Sequence, residues 1–131
     1  MDYIGVDISK ESVRRLSKKH NHKFYLKSIS NFFIKRRFDV VNCFDVLYHI
    51  KDDKNFRKAL RNISRMSGKY IIITDTFDGC EKDNLKSRSM EEYMENLPGF
   101  RLVKLKKIPL DFGVKFAVFE KYVNKNQKIR F

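Results

Sequence analysis

Phe38-Asp39-Val40-Val41-Asn42-Cys43-Phe44-Asp45-Val46-Leu47-Tyr48-His49-Ile50 is the stretch on which the reading of this chain turns. Its first seven residues are rich in β-branched and aromatic side chains and predict a strand over 38–44. The chain turns polar at Asp45 and again at Lys51-Asp52-Asp53, where either of the last two aspartates can cap a helix. Phe56, Ala59, Leu60, Ile63 and Met66 then recur at helical spacing and predict one buried face. Gly68 is expected in the left-handed conformation that follows a helix end. Tyr70-Ile71-Ile72-Ile73-Thr74 is nearly all apolar, the pattern of a strand covered on both faces. Strand, helix and strand in this order predict a parallel unit with a crossover helix.

The flanks extend the pattern in both directions. Residues 3–6 predict a short buried strand ending at Asp7, and Ser9 is placed to cap a helix, with Ile8 and Val13 at the spacing of a hydrophobic staple. Val13 and Leu16 give that helix a narrow apolar face, and 20–22 ends it. Residues 23–26 predict a second strand, 28–30 a polar break, and 31–37 fits no single element. Residues 75–86 read as polar loop. Ser89 and Glu92 form a capping box before Tyr93, Met94 and Leu97, and Pro98-Gly99 stops that helix. Residues 100–105 and 114–122 predict an antiparallel pair across a turn at 109–113, and 124–131 is a basic tail. The expected fold is α/β: a mostly parallel sheet with helices on both faces and an antiparallel C-terminal edge, forming one domain over 1–123.

Composition narrows the class. A chain of 131 residues makes one domain and buries roughly two-thirds of its unfolded surface without disulfide or metal staples. Its 42% apolar content, with 12 Phe and 6 Tyr, excludes a disordered chain. No uncharged run approaches the ~20 residues of a membrane-spanning helix, and no membrane partner is expected. The opening Met1-Asp2-Tyr3 lacks the pattern of a signal peptide. Cys43 and Cys80 form no CxxC pair, so the reading is a reduced, cytoplasmic chain without a metal site. Charge is concentrated at the ends. Residues 1–37 carry ten basic and three acidic side chains, 38–100 ten and eleven, and 101–131 nine and two, for a total of +13. Such a field attracts nucleic acid or another polyanion, although lysine-rich surfaces also serve solubility.

In open parallel sheets ligands bind beyond the carboxyl ends of the strands. That rule selects Asp7 and Ile8, Ser28, residues 45–50 and residues 75–77. A carboxylate at a strand end offers two oxygens in one plane to the hydroxyls of a ribose, and an apolar residue after it can lie against an adenine face. The same acid serves equally well as a solvated turn cap. His49 has the pKa range for proton removal near neutrality, and a loop histidine bonding backbone is its plainer role. Cys43 reads as core, and His20 and His22 as surface.

The 38–73 block resembles the fourth strand, following loop, helix and fifth strand of the class I S-adenosylmethionine-dependent methyltransferases, a Rossmann-like family. Gly5-Val6-Asp7-Ile8-Ser9 resembles their second strand with its ribose-binding acid. Gly99-Phe100-Arg101-Leu102-Val103 and Phe116-Ala117-Val118-Phe119-Glu120-Lys121 resemble their closing strands. The resemblance spans residues 3–122 and implies S-adenosylmethionine as cofactor. It places Asp7 at the ribose, Ile8 on the adenine, Ser28 near the adenine amine, and Asp45 and Leu47 beside the pocket. His49 becomes the base near the reacting methyl group.

The chain departs from the family pattern at its start. The family begins with a central strand and a glycine-rich turn before the acid; here the acid is residue 7, and no G-x-G-x-G occurs among the five glycines. The expectation is therefore an N-terminally truncated sheet. Two lost hydrogen bonds to charged cofactor groups, at about 1.5–3 kcal/mol each, weaken binding roughly 10² to 10⁴-fold. The expected function is methyl transfer to an unidentified acceptor. The alternative is a non-catalytic module of the same fold that binds nucleic acid or a partner protein through its basic surface. A sheet lacking its middle strand must be completed by rearrangement of the sheet, by sequence missing from this chain, or by pairing with a second copy of the chain as a homodimer, and self-association is the expectation tested.

Overall fold

The computed structural model describes residues 2–109 and 112–122. Eight strands and three helices follow in the order β1 (Ile4–Asp7), α1 (Lys10–Lys19), β2 (Lys23–Leu26), β3 (Phe38–Cys43), α2 (Asp53–Met66), β4 (Ser67–Asp75), β5 (Glu81–Lys82), β6 (Leu85–Lys86), α3 (Met90–Glu95), β7 (Phe100–Lys107) and β8 (Lys115–Lys121). A single 3-10 turn, Leu47–His49, lies between β3 and α2. The caps are those the sequence predicts. Ser9, Asp52 and Ser89 each accept from the backbone N–H three residues on, relieving one of the unpaired donors at a helix start. Among the described residues no helix is long and apolar enough to cross a membrane. The basic tail at 124–131 lies outside the described residues.

The strands form a four-stranded sheet in the order β3-β4-β8-β7 and a separate parallel pair, β1-β2. β3 runs parallel to β4, while β8 is antiparallel to both β4 and β7. The parallel units and the antiparallel edge agree with expectation; among the described residues these strands divide into two sheets rather than one. β1 is hydrogen-bonded only to β2, and β3 only to β4, among the described residues. A small ribbon, β5-β6, stands where the sequence read as plain loop.

One core fills one face of the four-stranded sheet. Phe56, Ala59, Leu60 and Ile63 of α2 pack with Ile71 and Ile73 of β4, Ala117 and Phe119 of β8, and Tyr93 at α3. The Phe56 and Tyr93 rings meet edge to face at 5.3 Å, which places α2 and α3 on this same side. The other face carries the register-paired Val40 and Tyr70, both more than a third exposed, and the half-buried Ile72 and Val118. Residues 70–74 are therefore covered fully on one face only, and the four-stranded sheet carries α2 and α3 on that one face. α1 packs on β1 and β2 instead, and none of its residues is buried.

Two local expectations are corrected. Ile8 is 74% exposed, so it makes no staple with Val13. Gly68 is absent from the positive-φ residues and lies inside β4, where a Cβ would stand 3.2 Å from the Phe38 carbonyl oxygen. Its smallness lets β4 pass close to β3 rather than ending α2.

The carboxyl end of β4 is held by a buried polar network. Asp75 is fully buried. Its Oδ1 accepts from the Thr76 backbone N–H at 2.6 Å and its Oδ2 from the Tyr93 hydroxyl at 2.5 Å. Burial first, and then the Asp75 carboxylate, pushes the Tyr93 phenol well above its usual range, so Tyr93 stays the donor. Arg88 is also fully buried. Its Nη1 donates to the Ile50 and Lys86 carbonyls at 2.5 and 3.1 Å, and its Nη2 to the Lys51 carbonyl and Asp53 Oδ1 at 3.2 and 3.0 Å. The guanidinium lies 4.1 Å over the Phe56 ring, and Nε alone lacks a partner. Hydrogen bonds from Lys86 and Arg88 hold the Asp53 carboxyl below its usual range. That contribution is present above the ordinary carboxylate pKa and disappears as pH falls through the lowered one.

Replacing Tyr93 by Phe leaves Asp75 Oδ2 short of its closest donor, and urea denaturation is expected to show a loss of about 1–3 kcal/mol. The two thiols differ in access. Burial raises the Cys43 thiol to about 12, and Cys80 is exposed. A thiol reagent is expected to label one cysteine in the native protein and two in denaturant; fast double labelling of the folded chain would contradict the placement of Cys43.

Candidate functional site

Both sheets present their carboxyl ends as clusters of polar side chains. In the two-stranded sheet, β1 ends on Asp7, whose exposed carboxylate accepts from the Ser9 backbone N–H through Oδ1 at 2.8 Å. The turn is closed by the Lys27 N–H bonding the Asp7 carbonyl, which brings the end of β2 alongside. Asp7 Oδ2 has no hydrogen-bond partner among the described residues. Ile8 stands next to it with its side chain in solvent. Ser28 follows β2; its hydroxyl meets the Ser30 hydroxyl at 2.7 Å and accepts from the Ser30 N–H at 3.3 Å. This leaves little of its bonding capacity for a ligand.

In the four-stranded sheet, the chain leaves β3 through Asp45, a non-glycine residue at φ 57°. Aspartate tolerates this region better than most residues, and here it is held from two sides. Its N–H donates to Thr74 Oγ1 at 2.7 Å, and its Oδ1 accepts from the Tyr48 hydroxyl at 2.8 Å. The strained turn thus ties the end of β3 to the end of β4. Leu47 is fully buried and fixes the 3-10 turn from beneath. His49 is exposed, with its ring 4.7 Å from that of Tyr48.

The structure therefore gathers the expected residues into two groups. Asp7, Ile8 and Ser28 form one, and Asp45, Leu47 and His49 the other. No hydrogen bond or ring contact joins the two groups among the described residues. At the opposite ends of the strands, Arg36 does span them: it ion-pairs with Asp2, just before β1, and stacks over Phe38, the first residue of β3, at 4.8 Å. β1 and β3 thus start side by side without pairing.

A cavity of about 370 Å³ opens beyond β4, lined by Tyr48, Thr76, Asp78, Ser87 and Val114 among others. The Asp78 carboxyl is held below its usual range chiefly by the Cys80 backbone N–H at 2.9 Å. Sequence reasoning reached residues 75–77 by position alone and missed Thr74, Ser87 and Arg88. Arg88 is one basic residue among many, and nothing near it marks it as buried. Tyr93 carried the usable signal: an aromatic at a core position needs a partner for its hydroxyl.

The sequence profile of the methyltransferase domain family matches residues 1–72. No match was found among curated proteins. Solved structures share the fold. The N-methyltransferase NodS of Bradyrhizobium japonicum, in complex with S-adenosyl-L-homocysteine, superposes with a TM-score of 0.76 at 16% identity, over 92% of this chain and 66% of that one. Magnesium protoporphyrin IX methyltransferase of Synechocystis, with bound S-adenosylmethionine, gives 0.70 at 14%, over 91% and 59%. An S-adenosylmethionine-dependent methyltransferase of Clostridium acetobutylicum gives 0.69 at 13%, over 92% and 75%. The chain thus spans less than two-thirds of the first two. With more than half its length matched by the family profile, the chain belongs to the methyltransferase domain family.

Proposed function

We propose that this chain is the larger part of an S-adenosylmethionine-dependent methyltransferase, with a strand between β1 and β3 completing its site. The observation that carries the reading is the end of β1: an exposed carboxylate with one oxygen free, followed by an exposed isoleucine. These residues fit the adenosine half of the cofactor. Asp7 Oδ2 would accept from the ribose hydroxyls and Ile8 would cover one adenine face, while the Ser28 hydroxyl, already bonded to Ser30, would offer the adenine amine only its remaining lone pair. The opposite half falls at the unpaired edges of β1 and β3, beside Asp45. S-adenosylmethionine supplies an electrophilic methyl carbon on a sulfonium centre.

The protein's part is to position the acceptor and exclude water. The cavity beyond β4 is the site proposed for the acceptor, whose identity stays open. His49, on the loop bordering that cavity through Tyr48, would take the acceptor's proton at its free imidazole nitrogen. The unpaired edges invite a strand from outside, whether from further sequence of the same protein or from a second copy of the chain.

Calorimetry or ligand-observed NMR on the chain alone is expected to show weak binding of S-adenosylmethionine. Asp7→Ala should weaken it at least tenfold, because the carboxylate makes charge-assisted bonds, and Ser28→Ala should change it little. Equal effects of the two substitutions would remove Asp7 from the role assigned to it. Sedimentation equilibrium is expected to show self-association that rises with concentration. A strict monomer at high concentration would remove the second copy as the source of the strand.

A further inference from the structure

The 28–37 segment is pinned along α2. Asn62 Nδ2 donates to the Ile29 and Ser30 carbonyls at 2.9 and 3.2 Å, and Lys58 Nζ to Asn31 Oδ1 at 3.1 Å. This places Phe33, Lys35, Arg36 and Arg37 beside Arg65, around a cavity of about 340 Å³. The Arg65 guanidinium stacks 4.0 Å over the Phe33 ring, which is 37% exposed. Arg36 is paired with Asp2. Lys35, Arg37 and Arg65 have no carboxylate partner among the described residues. Asp39 lies nearby but bridges to Lys69 at 3.8 Å. Desolvation first, and then Arg37, holds the Lys121 ammonium below its usual range, so cations crowd here. The stripe continues along α2: Arg57, Arg61 and Arg65 are exposed at four-residue steps, about 6 Å apart along the axis.

Like charges so close repel one another, and an anion relieves them. A regular track of arginines leading to an arginine-stacked, part-exposed ring is the arrangement that holds a sugar–phosphate backbone while a base lies on the ring. A duplex hides its base faces, so Phe33 adds nothing to its binding. We propose that this end of the sheet, at the start of β3 and the end of α2, binds single-stranded nucleic acid, with phosphates along Arg57, Arg61, Arg65 and Arg37 and a base against Phe33. The pocket at Phe33, Arg37 and Arg65 lies at the opposite end of the strands from Asp7 and Asp45, with the arginine track running back from it along α2, so it stands or falls independently of cofactor binding.

Fluorescence anisotropy of labelled oligouridylate, oligothymidylate and a DNA duplex on the full chain tests this. Four phosphate contacts give a single-strand salt slope near −3, or roughly a 50-fold loss between about 50 and 200 mM salt. The double variant Arg37→Glu/Arg65→Glu is expected to weaken single-strand binding at least tenfold. Lys106→Glu/Lys107→Glu makes the same change in net charge on exposed β7 and is expected to weaken it less than threefold. Phe33→Leu should weaken single strands several-fold and leave the duplex unchanged. Circular dichroism checks that each variant is folded. Equal losses in the two double variants would show attraction by overall charge and overturn the site. So would no binding at low salt, or an indifference of single-strand binding to Phe33.

Discussion

The burial of Asp75 is the constraint from which the carboxyl end of the molecule is built. A carboxylate without solvent must be surrounded by donors, because an unpaired buried charge costs several kcal/mol. Here the donors include the backbone N–H groups of Thr76 and Phe77, the Thr76 hydroxyl, the Tyr93 hydroxyl of α3, and the Arg88 N–H at 3.4 Å. Satisfying Asp75 therefore fixes α3 against β4 and brings Arg88 inward. The Arg88 guanidinium then gathers the carbonyls of Ile50 and Lys51 and the Asp53 carboxylate. In this way the loop after β3, the start of α2 and the segment after β6 are set by one buried acid. The cavity beyond β4 keeps its shape because its floor is part of this network.

The second constraint is what lies open. Among the described residues β1 and β3 each have an unpaired edge, and the sheet face bearing Val40 and Tyr70 is only partly covered. α1 has no buried residue. The present sequence spans 66% and 59% of two of the similar enzymes. An interior strand with both neighbours in place needs apolar residues toward both faces. β3 has kept Val40 and Val41 on its two sides although Val40 is 46% exposed. Its sequence suits a position inside a sheet, while the described structure leaves it at an edge.

Much of the fold was legible because periodicity and capping are local. Ser9, Ser89 and the Asp52-Asp53 pair announced three helix starts, and the spacing of Phe56 to Met66 gave the face that α2 buries. Gly68 was misread because a glycine after a helix has two uses, a left-handed turn or a close approach, and only the position of the Phe38 carbonyl tells them apart. Residues 70–74 looked covered on both faces because apolar content reports what a strand can bury rather than what lies over it. In the candidate site, Asp7 and Asp45 were found from their positions at strand ends. Arg88 and Thr74 were not, since their roles depend on partners 35 and 29 residues away in sequence. No local pattern encodes such pairings.

The charged residues at the two termini of α2 follow the sense of its dipole, and the topology sets which end of the strands each terminus faces. A helix that connects two parallel strands must run back against them, so α2 starts at their carboxyl ends and finishes at their amino ends. Its amino terminus carries partial positive charge and its carboxyl terminus partial negative charge. Asp52 and Asp53 sit at the first, in the neighbourhood of Asp45, Asp75 and Asp78; Arg65 sits at the second, beside Arg36 and Arg37. Acids are thus stabilised where an acceptor would meet the strand ends, and bases where the 28–37 segment folds back.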